Sequence, residues 1–143
     1  TADLRFASDD ARFAIPAARL GLGYSPGLLE PLLQLVGHAR ALEILYTARR
    51  YSAEEALAMG LVNAIAPKDG LEALVRETVD RIAANAPLTL RSAKIAAREL
   101  AREPERRDMA KVDAAVAACY DSEDYKEGVR AFLEKRKPAF RGR

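Results

Sequence analysis

Tryptophan is absent from this sequence, and cysteine and histidine occur once each. The lone Cys119 excludes an internal disulfide framework and fits a reducing compartment. Its setting, the alanine-rich run "AAVAACYDS", marks it as a small core residue rather than a nucleophile. A lone His38 cannot build a multi-histidine metal site, and no Cys or Asp cluster has ligand spacing, so no metal site is expected. Charge of one sign is also lacking. With 23 Lys and Arg against 21 Asp and Glu, the net charge is +2. That is too little to make nucleic acid or an anionic membrane the expected partner. No apolar run approaches the ~18 residues of a membrane span, and no signal-peptide pattern opens the sequence. The expected location is the cytoplasm, with no membrane contact.

What remains is a globular composition. The 143 residues are one domain's worth of chain, 50% hydrophobic and 31% charged with both signs mixed. Residues 3–8 and 11–15 alternate apolar and polar positions, as short strands do, and "SDD" between them reads as a turn. Pro26 opens a leucine-rich helix to about Val36, Gly37 stops it, and a second helix runs from His38 to about Ala48. Ser52 followed by Glu55 forms a capping box that starts another helix, ended by Gly60. "LVNAI" is a short β-extension closed by Pro67.

The second half is almost wholly helical. A stripe of apolar residues from Leu71 to Ala86 has i, i+3, i+4 spacing, and Pro87 begins a new helix. That helix carries Arg91, Lys94, Arg98 and Arg102 on one face, which reads most simply as a solvated face. A further helix runs from about Arg107 to Tyr120. The last, Ser122 to about Lys135, sets Tyr125, Val129, Phe132 and Leu133 on one side, before the basic tail "KRKPAFRGR". Two or three short strands cannot make a self-sufficient sheet, because unpaired edges leave backbone groups unsatisfied. The chain therefore reads as the back part of a larger α/β domain.

"FAIPAARLGLGY", residues 13–24, is a tight loop without a single acidic side chain. Pro16 fixes the backbone, Ala17 and Ala18 leave room, and Gly21 and Gly23 are expected to allow close approach or positive φ.

Four stretches, "ADLRFASDDARFAIPAARLGLGY", "LVGHARALEILYTARRYSAEEALAMGLVN", "IAANAPLTLRSAK" and "DYKEGVRAFLEKRKPAF", together resemble the crotonase superfamily, the enoyl-CoA hydratase/isomerase family. The resemblance implies a β-β-α spiral, of which residues 1–68 form the C-terminal part with an acyl-pocket loop. It makes residues 69–143 the helical region that drives assembly into a homotrimer or a dimer of trimers. It implies acyl-CoA thioester substrates, no cofactor beyond the coenzyme A carried by the substrate, and an oxyanion hole of two backbone N–H groups that stabilises a thioester enolate. By the same resemblance, the oxyanion-hole segment and the first hydratase glutamate match positions before Thr1. The second glutamate follows the proline of an "F-G-x-P-E" pattern, which here reads "FAIPA".

Ala17 thus stands where a catalytic carboxylate is expected, and the two-glutamate hydratase mechanism is disfavoured. No catalytic residue is assigned within the chain. Pro16, Ala17, Leu20, Gly21 and Tyr24 are expected to line the acyl pocket. For Tyr24 two readings stand, a hydroxyl that orients substrate or water and a packing aromatic. Phe132 and Lys135 match positions that contact the CoA nucleotide, against the alternative of a core Phe and a solvated Lys. Asp9 and Asp10 read as turn residues, and Glu43 and Glu55 as scaffolding. The rival function is a non-catalytic acyl-CoA-binding or oligomerisation module.

Overall fold

The computed structural model describes residues 2–143. They divide into two compact units, one ending at Glu77 and the other spanning Thr78–Arg143.

The first unit holds four short strands, β1 (Phe6–Ser8), β2 (Arg12–Phe13), β3 (Tyr51–Ser52) and β4 (Ala64–Ala66). It also holds the helices α1 (Pro26–Val36), α2 (His38–Thr47) and α3 (Ala53–Ala58), and a 3₁₀ turn at Ala17–Leu20. β1 and β2 flank the expected Asp9–Asp10 turn but do not pair with each other. β1 runs parallel to β4, with Ala7 opposite Ile65, and β2 runs antiparallel to β3, with Phe13 opposite Tyr51. The Asp9 N–H continues the first ladder by donating to the Ala66 carbonyl at 2.8 Å. Two separate two-stranded sheets are as thin as the sequence implies. Ala7, Ala56 and Val62 form the buried centre between them, with Phe13, Leu61 and Ile65 against it.

The helix boundaries follow their capping chemistry. Pro26 occupies the first turn of α1, where its missing N–H costs nothing, and the Gly37 N–H closes the helix on the Leu33 carbonyl. The capping box is complete: the Glu55 N–H donates to Ser52 Oγ at 3.1 Å and the Ser52 N–H to Glu55 Oε2 at 2.8 Å. Ser52→Ala leaves the Glu55 N–H without its partner, and a loss of about 1 kcal/mol is expected. Urea unfolding followed by circular dichroism checks this, and an unchanged midpoint contradicts it.

The division between the units falls within α4 (Leu71–Ala83). That helix ends three residues earlier than its apolar stripe predicts. Ala86 precedes Pro87 and is forced into extended geometry, so the chain leaves the helix before it.

The second unit continues with α5 (Pro87–Leu100), α6 (Met109–Tyr120) and α7 (Glu123–Leu133). α6 starts at Met109 rather than Arg107, because Asp108 caps it by accepting the Lys111 N–H at 2.9 Å. Arg107 instead turns back, and its guanidinium donates to the Leu100 and Arg102 carbonyls at the end of α5. α5 and α6 are tied by Glu99, only 2% exposed. Its carboxylate accepts the Asp108 N–H at 3.1 Å and pairs with Arg102 and Lys111. A buried carboxylate is tolerated only with such partners. Among the described residues no helix is long and apolar enough to cross a membrane.

Candidate functional site

In the first unit the candidate residues sit on a rigid turn. β2 delivers the chain to Pro16, and Ala17–Leu20 form one 3₁₀ turn. The Arg19 N–H donates to the Pro16 carbonyl, and the Leu22 N–H to the Ala17 carbonyl, both at 3.0 Å. Gly21 closes the turn at φ 66°, its N–H also on the Ala17 carbonyl. That left-handed conformation is what glycine supplies without steric cost. Gly23 does not supply the left-handed conformation and has open space around it: its φ is not positive, and a Cβ there meets nothing within 4 Å. Ala17 points inward, 9% exposed, whereas Leu20 is 64% exposed. The turn lies against α2.

Tyr24 is half-buried and lines a cleft of about 400 Å³ with Arg5, Ile15, Leu32, Gln34 and Leu35. Pro16, Ala17, Leu20 and Gly21 do not line that cleft. The Arg5 guanidinium at its wall is already engaged, donating to the Leu61 carbonyl at 2.7 Å and to the Ala2 carbonyl at 3.0 Å. Among the described residues nothing hydrogen-bonds the Tyr24 hydroxyl.

Three acidic groups of this unit, Asp10, Glu43 and Glu55, are engaged with neighbouring side chains or backbone. Asp10 accepts the Ser8 hydroxyl at 2.5 Å, and that bond, with Lys68 3.9 Å away, holds its carboxyl below the ordinary range. Glu43 is held low chiefly by Arg40, and Glu55 chiefly by the Ser52 N–H and then by Arg49. Groups kept ionised in this way are ion-pair partners rather than proton donors near neutral pH. Among the described residues no cluster of His, Cys, Asp and Glu can hold a metal.

In the second unit Phe132 is 83% exposed, so it is not a core residue of this unit. It lies on an apolar trough of about 750 Å³ formed by α5, α6, α7 and Phe140, together with Leu88, Val116, Tyr120 and Val129. Tyr120 and Tyr125 meet edge to face along it, with centroids 5.4 Å apart. Cys119, expected in the core, is only half-buried and lines this trough, its thiol on the Ala115 carbonyl. The spacing of Tyr125, Val129, Phe132 and Leu133 identifies the apolar side of α7 correctly. It could not show that this side is left uncovered by the unit.

Lys135 occupies an unusual position. The chain leaves α7 with the Arg136 N–H on the Ala131 carbonyl at 3.0 Å and the Lys135 N–H on the Phe132 carbonyl at 3.2 Å. This is a Schellman ending, and its left-handed residue is Lys135, at φ 53°. Glycine is usual there, and a lysine costs about 1 kcal/mol more. Glu127, near the middle of α7, receives the Arg136 guanidinium on both oxygens and the Ala139 N–H on one of them. Those bonds, Arg136 first, hold its carboxyl down at about 2. No sequence signal marked this arrangement.

The whole chain has known relatives. The family model for enoyl-CoA hydratase/isomerase matches residues 1–143. A crotonyl-CoA hydratase of Syntrophomonas wolfei is 38% identical over 140 residues, 96% of this chain and 53% of that protein. A methylmalonyl-CoA decarboxylase of Escherichia coli is 33% identical over 144 residues, 99% of this chain and 55% of that protein. The crystal structure of an enoyl-CoA hydratase/carnithine racemase from Magnetospirillum magneticum superposes with a TM-score of 0.84 at 34% identity, covering 99% of this chain and 52% of that one. The chain spans about half the length of the relatives it matches.

Proposed function

Because the chain belongs to the enoyl-CoA hydratase/isomerase family and corresponds to the C-terminal half of the crotonase fold, we propose that it serves an enzyme acting on acyl-CoA thioesters through a stabilised enolate. The observation that carries this reading is the family match along residues 1–143. In this reading Ala17 takes the place of the glutamate in the "F-G-x-P-E" pattern that "FAIPA" resembles. Addition of water across a 2-enoyl thioester needs a base at C3 and an acid at C2. Alanine can be neither. Decarboxylation generates the enolate by loss of CO2 and needs no base for that step, while C–C cleavage or isomerisation through the enolate can take its proton transfers from groups other than residue 17. The relatives include both a crotonyl-CoA hydratase and a methylmalonyl-CoA decarboxylase, so the choice between reactions rests on Ala17.

In this reading the turn at Pro16–Gly21, with Tyr24, shapes the acyl end of the site. Phe132 offers its exposed ring to the adenine, and Lys135 its ammonium to a phosphate of the nucleotide. The uncovered apolar side of α7 favours assembly, as a homotrimer or a dimer of trimers.

Titration with CoA tests the reading. Lys135→Ala is expected to weaken CoA binding about ten-fold at low salt, with the difference shrinking as salt is raised. Unchanged affinity at low salt removes Lys135 from the site. Failure of the unaltered protein to bind CoA overturns the acyl-CoA reading.

A further inference from the structure

We propose that Asp124 and Glu127 are positioning residues for the nucleotide end of the CoA site, clasping the C-terminal strap along α7 and so fixing the conformation of Lys135 beside Phe132. This rests on the assignment of Phe132 and Lys135 to the CoA nucleotide. After Lys135 the chain reverses and returns toward the start of α7. Its first hold is Glu127, which takes the Arg136 guanidinium at 2.6 and 3.0 Å and the Ala139 N–H at 3.0 Å. One turn nearer the start of the helix, the Asp124 carboxylate takes the Arg141 N–H on one oxygen and the Gly142 N–H on the other, both at 2.7 Å. The Asp124 N–H returns a bond to the Arg143 carbonyl at 3.1 Å. Asp124 is 3% exposed, so these bonds are shielded from competing water. Between the two held points of the strap, Phe140 covers Gly128, where a Cβ would lie 3.6 Å from its ring, and Gly142 reaches Pro87 at the start of α5.

The clasp bears on Lys135 through Arg136. The left-handed backbone at Lys135 is maintained by the bond from the Arg136 N–H to the Ala131 carbonyl. The Arg136 side chain is held by Glu127 through both terminal nitrogens and by Glu134, two residues away, through Nε at 2.6 Å, so Glu127 is the one that ties it back to the body of α7. Release of Arg136 allows the last turn of α7 to open and Lys135 to leave the left-handed region, which breaks the bond from its N–H to the Phe132 carbonyl and redirects its side chain. Glycine at position 135 gives the same turn without strain and without a cation. A strained lysine kept there by two carboxylates fits a residue whose charge must stand at one place. Among the described residues no carboxylate pairs with that ammonium.

Calorimetric titration of the intact protein with CoA decides the matter, using Glu127→Gln, Asp124→Asn and Arg136→Gln. Each is expected to raise Kd about ten-fold at unchanged stoichiometry. Each should also flatten the salt dependence of binding toward that of Lys135→Ala, which a merely structural role does not predict. Amide exchange at Arg141 and Gly142 is expected to accelerate in Asp124→Asn. Should Asp124→Asn fail to fold, Arg136→Gln, altered at a partly exposed side chain, decides alone. Faster exchange with unchanged Kd and salt dependence overturns the inference and leaves the CoA reading standing. Reduced stoichiometry at unchanged Kd shows lost folded protein and likewise overturns it. Absence of CoA binding by the unaltered protein overturns both.

Discussion

Ala17→Glu is expected to raise crotonyl-CoA hydration by the intact protein at least ~100-fold, since a positioned acid or base contributes about 10²–10⁴-fold. The backbone at this position does not depend on the side chain. The Ala17 carbonyl is fixed by the N–H groups of Gly21 and Leu22, and Pro16 sets the chain direction before it. A glutamate therefore enters on an existing scaffold. Its first carbon starts from a site only 9% exposed. Partial desolvation lifts a carboxyl pKa above its usual value, toward the range in which it can deliver a proton to C2.

Ala17→Gln is the control, because it has the same size and reach without a titratable proton. The expected pattern is gain with Glu and none with Gln, in variants that fold and bind CoA equally. Equal rates for the two remove residue 17 from the neighbourhood of the reacting carbons. The non-catalytic reading then gains ground.

How much of this was legible beforehand depends on the range of the forces involved. Helix starts at Pro26 and Pro87 and the box at Ser52–Glu55 are set by residues within one turn of each other, so the sequence displays them. The pairing of β1 with β4 joins Ala7 to Ile65, and nothing local in either stretch names the other. The "SDD" turn is real, yet it separates strands of different sheets. The apolar periodicity of α7 shows which side avoids water, and it cannot show what covers that side. Lys135 hides its conformation because the residue that advertises a left-handed ending, glycine, is absent from that place. The Asp124 clasp is a bond between a helix start and a strap 17 residues further on, and its donors are backbone groups that every sequence has. For the candidate site, the family pattern directed attention to Ala17 and Lys135. The turn and strap that hold them are built from backbone hydrogen bonds, which the side-chain pattern does not display.

Tyr51→Ala is expected to cost about 3–5 kcal/mol, the range for deleting a buried aromatic ring. Tyr51 is 2% exposed and among the largest fully buried side chains. It lies opposite Phe13 in the register of β2 and β3, and borders a small cavity with Phe13, Ile15, Leu32 and Ile44. The Arg49 guanidinium covers its ring at 3.7 Å, and Arg49 in turn meets Glu55 of the capping box at 2.7 Å. One ring thus joins the strand that leads into the Pro16 turn to the cap of α3. With alanine there, Phe13 loses its cross-strand partner, and the existing cavity widens rather than collapses. A two-stranded pairing has little else to hold it. Against a typical total stability of about 5–15 kcal/mol, such a loss brings the first unit close to unfolding. Denaturant unfolding measures the cost, and amide exchange over residues 13–22 reports whether the turn loosens with it. Tyr51→Phe separates ring from hydroxyl. The hydroxyl has only a 3.3 Å contact with Thr47 Oγ1, so a loss below about 1 kcal/mol is expected. If Tyr51→Ala costs no more than Tyr51→Phe, the ring is not what holds β2 in place, and the scaffold assigned to the Ala17 turn must lie in its packing on α2 instead.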